Sequence, residues 1–284
     1  MQEIASHVFI ETDYPGVTLG AINWQHGLIL IDAPFLPDDI RLWRTATMTL
    51  THSIERLMVN LDEHYDRTLG SRQFECVVVG HERMTQLFKD RPVAFKPQTL
   101  ETGAEWESFN NLGSIRWSAP EITFSDTMEI HWDEHALLLE SHPGPSNAAI
   151  WAVLPAEQIV FIGDAVIPSA PPFLSNADLA AWMQTLADLQ KPEYKHFTIV
   201  SGRSGVITQN EVKNQVKNLE KIAKVIEKLN EKAPRQDEIE KAAHAILKNY
   251  ETPKDKEQLY FLRLRYGLIQ YLRRQLGTSL ETSE

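Results

Sequence analysis

Cys76 is the only cysteine among 284 residues. One thiol excludes an internal disulfide framework and a zinc site built on cysteines, and just after Phe74 it reads as a small core residue. No apolar run approaches the roughly 20 residues that span a bilayer, and the first residues lack a basic-then-apolar leader signature. The expectation is a cytoplasmic protein with no membrane partner. Positive charge is scarce in most of the chain. Residues 1–208 hold 13 Lys and Arg against 27 Asp and Glu, net −14, whereas residues 209–284 hold 15 against 12, net +3. An acidic body repels phosphate backbones, so no nucleic-acid partner is expected either. Repeats and low-complexity tracts are missing as well. The composition, 43% hydrophobic and 24% charged, is that of a globular chain able to bury a full core.

Up to about residue 208, short β-like runs dominate. "HVFIET", "VTLGAINW" and "GLILIDA" are consecutive strands by their β-branched and apolar content. "PDDIRLWRTATMTL" has a helical start and places Ile40, Trp43 and Leu50 at helical spacing. "IERLMVNL" predicts a strand running into a polar loop, "FECVVVGH" a nearly all-apolar strand, and residues 82–88 a helix. Residues 90–118, with Pro92, Pro97, Gly103 and Gly113, form a long excursion of the kind that is usually functional or mobile. Strands resume with "EITFSDTMEIHW", "HALLLES", "AAIWAVLP" and "QIVFIGDAVI", then a helix at 176–190 and the strand "HFTIVSG". Two runs of strands separated by helices predict two sheets sandwiched between helices. From 209 onward the pattern is helical, with Val212, Val216, Leu219, Ala223 and Ile226 on one face of the first helix and lysines opposite.

"NLDEHYDRTLG", residues 60–70, ends an apolar run with a cluster of carboxylates, an imidazole and a guanidinium. Together with "GLILIDAPF", "HPGPSNAAIWAVLP" followed by "QIVFIGD", and "VSGRSGVI", it resembles, in content, order and spacing, the landmarks of the metallo-β-lactamase superfamily. That resemblance implies an α/β fold, a four-layer αββα sandwich over residues 1–208, with residues 209–284 as a C-terminal helical extension.

Active members of the family hold two metals with five imidazoles and two carboxylates. Carried over position by position, the family's first histidine falls on Asp62 and its second on His64. The motif aspartate falls on Asp66 and the third histidine on Arg67. The fourth falls on Pro145, with His142 three residues upstream able to stand in. The bridging aspartate is Asp164, and the last histidine falls on Arg203. A guanidinium stays protonated at any physiological pH and cannot donate a lone pair to a cation. Arg67 and Arg203 therefore predict a second metal site abolished and filled by ion pairs with Asp66 and Asp164. Asp62, His64, Asp164 and His142 form the candidate set for at most one ion, zinc, iron or manganese; the alternative is no metal at all. His64 and His142 also admit a structural role, as does His81 at the end of its strand.

Three functions follow. The leading one is a metallo-β-lactamase-fold, hydrolase-like protein with a degenerate metal site and a non-catalytic binding or regulatory role toward a small-molecule ligand. The second is a one-metal hydrolase of an ester, thioester or lactone, with Asp66 as general base and Arg67 or Arg203 stabilising the oxyanion. The third is an assembly protein that forms a homodimer through its C-terminal helices. The last of these helices is apolar over much of its circumference and must be covered by its own domain or by a second copy. Trp106, Phe109 and Trp117 in the long excursion, and "SAPPFL" at 169–174, are candidates for lining a pocket.

Overall fold

Alternation inside the apolar runs decides the layers. The structure is a computed structural model that describes residues 1–284 except 52, 90, 92–99, 111, 113–116, 232–233 and 277–284, with Leu276 described in its backbone alone. Seven strands form one sheet in sequence order: β1 (Gln2–Ala5), β2 (Val8–Glu11), β3 (Leu19–Asn23), β4 (Leu28–Ile31), β5 (Arg56–Val59), β6 (Val77–His81) and β7 (Ile122–Phe124). The first four are antiparallel, and β4 to β7 run parallel. The second sheet has the order β13 (Gly205–Ile207), β12 (Thr198–Ser201), β11 (Ile159–Phe161), β10 (Ile150–Leu154), β9 (Leu137–Ser141), β8 (Thr127–Ile130), with only β11 and β12 parallel.

Successive side chains of a strand point to opposite faces. In β4, Ile29 and Ile31 face the second sheet and pack with Leu139, Ile150 and Phe161, while Leu28 and Leu30 face outward onto Ile40 and Trp43 of helix α1 (Pro37–Met48). Both faces are covered, which is why the strand reads as an unbroken apolar run. On the far side, Trp151, Val153, Val160 and Ile199 pack against helices. Numbered in chain order after α1, the helices are α2 (Tyr65–Thr68), α3 (Glu82–Lys89), α4 (Leu179–Leu189), α5 (Gln209–Asn230), α6 (Gln236–Leu247) and α7 (Glu257–Leu276), and the last four cover that far side. The result is the expected αββα sandwich with C-terminal helices. Leu219, Ile246 and Leu264 of the helical extension share one core with the second sheet.

The strand "EITFSDTMEIHW" divides at Ser125 and Asp126, placing β7 in one sheet and β8 in the other. Strands β1 and β13 and the one-turn helix α2 are additions to the sequence reading; each has at most four residues, too few to establish a period. Leu259, Leu264, Leu268 and Leu272 of α7 are buried in its own core, which leaves Leu262 and Ile269 half-buried. Among the described residues no helix is long and apolar enough to cross a membrane. Much of the long excursion lies outside the described residues; the part that is described includes a 3-10 turn at Glu105–Ser108.

Candidate functional site

The carboxyl ends of the parallel pairs β4–β5 and β11–β12 deliver the site. Asp32 follows β4, the loop after β5 carries Asp62 and His64, and α2 carries Asp66 and Arg67. Asp164 lies in the 3-10 turn Gly163–Ala165 after β11, and Arg203 in the turn between β12 and β13. Strand ends of this kind are where open α/β sheets gather ligand-binding groups.

Arg67 is fully buried. Its Nη1 lies 3.2 Å from Asp32 Oδ2, its Nε 3.0 Å from Asp62 Oδ1, and its Nη2 donates to Asp164 Oδ1. Arg203 grips the other side. Its Nε donates to both oxygens of Asp164 at 3.0 and 2.9 Å, and its Nη1 donates to Asp66 Oδ2 at 2.7 Å and to the Gly16 carbonyl at 2.8 Å. Asp66 Oδ1 accepts from the Trp106 backbone at 3.0 Å. His64 sits with Nδ1 3.0 Å from Asp62 Oδ1 and 3.8 Å from Asp164 Oδ2.

Charge explains the titration directions. Four aspartates against two arginines leave two negative charges, which one proton on His64 and one on Asp32 cancel. Burial pushes the Asp32 carboxyl up to about 7, against the pull of Arg67. Burial would lower His64, but Asp62 and Asp164 outweigh it and raise the imidazole above its usual value. Burial likewise opposes ionisation of Asp62 and Asp164; the charges of Arg67 and His64 on the first, and of Arg203 and Arg67 on the second, hold both carboxyls below the usual range.

Asp62, His64 and Asp164 offer ligand atoms within 4.8 Å of one another, and the buried Oδ2 of Asp62 has no hydrogen-bond partner among the described residues. The expected fourth ligand does not join them. His142 stacks on Trp151, with ring centroids 3.5 Å apart, and its Nε2 lies 3.2 Å from Glu140 Oε2. The residue at the family's position, Pro145, carries no donor atom. Arg67 and Arg203 fill the sphere a second ion would need, and a dinuclear centre does not fit these residues. Even the three-residue set is compromised, because Asp164 is already saturated by two guanidiniums and one oxygen of Asp62 faces Arg67.

Of the three residues expected to be catalytic, Asp66 lines a cavity, but both its oxygens are engaged. Arg67, expected as a candidate to stabilise an oxyanion, is wholly enclosed and does not line the cavity. Arg203 is nearly buried and lies behind Phe173, its guanidinium 4.6 Å from the ring centroid.

The cavity, about 380 Å³, is bounded by Glu63, His64 and Tyr65, by Ala104 and Trp106, by Phe173 and Leu174, and by Arg263, Tyr266 and Arg274 of α7. Trp106 and Phe173 line it as the sequence suggested. Phe109 packs instead near Phe35, and Trp117 near Phe88. His81 is structural: its Nε2 lies 3.0 Å from the Ser125 carbonyl, and its Nδ1 accepts from the Arg83 backbone.

Asp32, Arg91, Arg263 and Arg274 join the candidate site without having been expected there, although the aspartate of "GLILIDAPF" was among the family landmarks. Asp32 left a signal, an aspartate closing an apolar strand, and it adopts φ 60°, which few residues besides glycine, asparagine and aspartate tolerate.

This architecture is the metallo-β-lactamase fold. Solved structures that share it include a metallo-β-lactamase from Pontibacter korlensis, 19% identical with a TM-score of 0.60 over 77% of this chain and 97% of that one. A metallo-β-lactamase family protein from Thermus thermophilus is 14% identical, with a TM-score of 0.67 over 98% and 96%. A stereoselective inverting sec-alkylsulfatase from Pseudomonas sp. is 15% identical, with a TM-score of 0.68; it is covered over 50% of its length by 98% of this chain. No protein-family model and no curated protein matches the sequence.

Proposed function

We propose that this chain is a metallo-β-lactamase-fold protein whose dinuclear centre has been replaced by a buried ion-pair network, and that it binds a small molecule beside that network without metal-dependent chemistry. The observation that carries this reading is Arg67, fully buried against Asp32, Asp62 and Asp164. Carboxylates gathered to hold cations are costly to bury without a counter-charge, and fixed guanidiniums supply one at any physiological pH. Metal analysis of tag-free protein tests it. Well under one equivalent of zinc, iron or manganese, with no hydrolysis across ester, thioester and lactone panels, is the expected result.

A second reading has one specific observation behind it: the close ligand atoms of Asp62, His64 and Asp164, with Asp62 Oδ2 unpartnered among the described residues. One equivalent of metal, lost on His64→Ala, would favour this single-ion hydrolase and overturn the first.

A further inference from the structure

The cavity wall carries a charge pattern opposite to the rest of the molecule. The chain as a whole has net charge −11. Yet Arg91, Arg263 and Arg274 all line this one recess. Arg91 spends Nη1 on Thr68 Oγ1 and Nη2 on the Glu63 carbonyl, and Arg274 spends Nη2 on the Leu174 and Ala177 carbonyls. Neither makes an ion pair among the described residues. Arg263, which is buried, donates to the carbonyls of Gly103 and Pro171; its carboxylate neighbour Glu105, at 3.6 Å, is shared with Lys256. Carbonyls satisfy N–H groups without cancelling their charge. A guanidinium has five N–H donors, so each arginine keeps donors to spare.

Of the two acids on the same wall, Asp66 is neutralised by Arg203, so Glu63 alone stands against the three arginines. Both oxygens of Asp66 are engaged, by Arg203 and by the Trp106 backbone. The Glu63 carboxylate accepts from Ser146 Oγ and Asn176 Nδ2, neutral donors that fix its direction. Burial holds Arg91 and Arg263 down to about 10, with the charge of Arg203 adding to the effect on Arg263. Tyr65, Trp106, Phe173 and Tyr266 also line the recess, with the Arg91 guanidinium 4.1 Å from the Tyr65 ring centroid and that of Arg263 4.0 Å from Phe173.

We propose that the cavity binds a small organic anion, one ring or a short acyl chain bearing a carboxylate, phosphate or sulfate, whose charge is met by Arg91, Arg263 and Arg274. A recess of about 380 Å³ is at the small end of ligand pockets and suits a body of that size. Guanidiniums recognise all three head groups through paired N–H donors. This deepens the binding role proposed above and rests on it.

The test is calorimetric titration of the full, tag-free chain with 4-nitrobenzoate, 4-nitrophenyl phosphate and 4-nitrophenyl sulfate, with neutral 4-nitroanisole as the control. At least one anion is expected to bind with Kd below about 1 mM, the neutral probe about tenfold or more weaker, and added salt to weaken the anion. Arg274→Gln, at an exposed position, or Arg91→Gln should weaken the anion about fivefold or more. No anion binding, equal binding of the neutral probe, or unchanged affinity in both variants would overturn the proposal. Nitrophenolate release in the same samples separates the two claims. Turnover sinks the non-catalytic reading and leaves the anion cavity standing, whereas absent binding to metal-free protein does the reverse.

Discussion

Gly202 and Arg67 occupy one space between them. A Cβ on residue 202 would stand 2.8 Å from Arg67 Nη1, 3.0 Å from Nη2 and 2.9 Å from the Gly163 carbonyl carbon. The guanidinium is therefore accommodated by the backbone of a strand exit more than a hundred residues away. Gly202→Ala should cost about 1–3 kcal/mol, as overpacking of a filled interior does. In an Arg67→Ala background that cost should shrink, because one of the two clashing groups is gone. Chemical denaturation of the four proteins of the cycle measures the coupling, and additivity would show that the two sites are independent.

Removing a guanidinium should be worse than crowding it. Arg203→Ala leaves Asp66 without its cation and Asp164 with one of its two, both buried. A loss of about 3–5 kcal/mol in urea denaturation is expected for breaking a buried pair from one side. A neutral effect would mean that water already hydrates the network.

The pH dependence has a worked sign. Asp32 titrates near 7 when folded and near 3.8 in the reference state, so its contribution is fully present below about 3.8 and lost as pH rises through about 7. His64, raised by its aspartates, contributes stability below its ordinary 6.5 that fades as pH rises through the folded value. Asp62 and Asp164 act oppositely, stabilising above 3.8 and failing as pH falls through their lowered folded values. Stability should therefore decline on both sides of mildly acidic pH. Asp32→Asn should flatten the decline between about pH 4 and 8; thermal melts across that range that run parallel to the parent would contradict the assignment.

Restoring imidazoles should restore metal affinity. Arg67→His with Arg203→His places two lone-pair donors beside Asp66 and Asp164, the donor chemistry zinc prefers. Calorimetry with zinc should show a site in the double variant that the parent lacks. Equal zinc binding in parent and variant would mean that the guanidiniums are not what excludes the ion.

Assembly is a separate matter. A homodimer through the C-terminal helices would have to use surface such as Leu262 and Ile269, because the leucines at 259, 264, 268 and 272 are already buried within one copy. Sedimentation of the whole chain decides it: a concentration-dependent shift to twice the monomer mass would support that interface, and a constant monomer would remove it.

The layers were legible in the sequence because each strand's apolar run encodes how many of its faces are covered. Arg203 beside Asp66 and Asp164 was legible because the resemblance to the metallo-β-lactamase superfamily implies that these chain-distant motifs meet at neighbouring strand ends. His142 was not. A position three residues from a ligand site says nothing about which way the ring turns, and stacking on Trp151 settled that. Arg67 meets Asp164 as expected, but in place of Asp66 it reaches Asp32 and Asp62, since the partner after β4 is fixed by parallel pairing and not by local spacing. Arg263 was hidden by its charge. Helical periodicity assigns an arginine to solvent, whereas carbonyls of Gly103 and Pro171, from distant loops, hold it inside.

That last contact orders events during synthesis. Asp32, Arg67, Asp164 and Arg203, which make the ionic centre, all precede α7 in the chain. The recess beside it is incomplete until α7 is made, because Arg263, Tyr266 and Arg274 form one of its walls. A nascent chain has no complete place for a ligand to dock, and any stabilisation a ligand provides reaches only molecules whose last helix has already folded home.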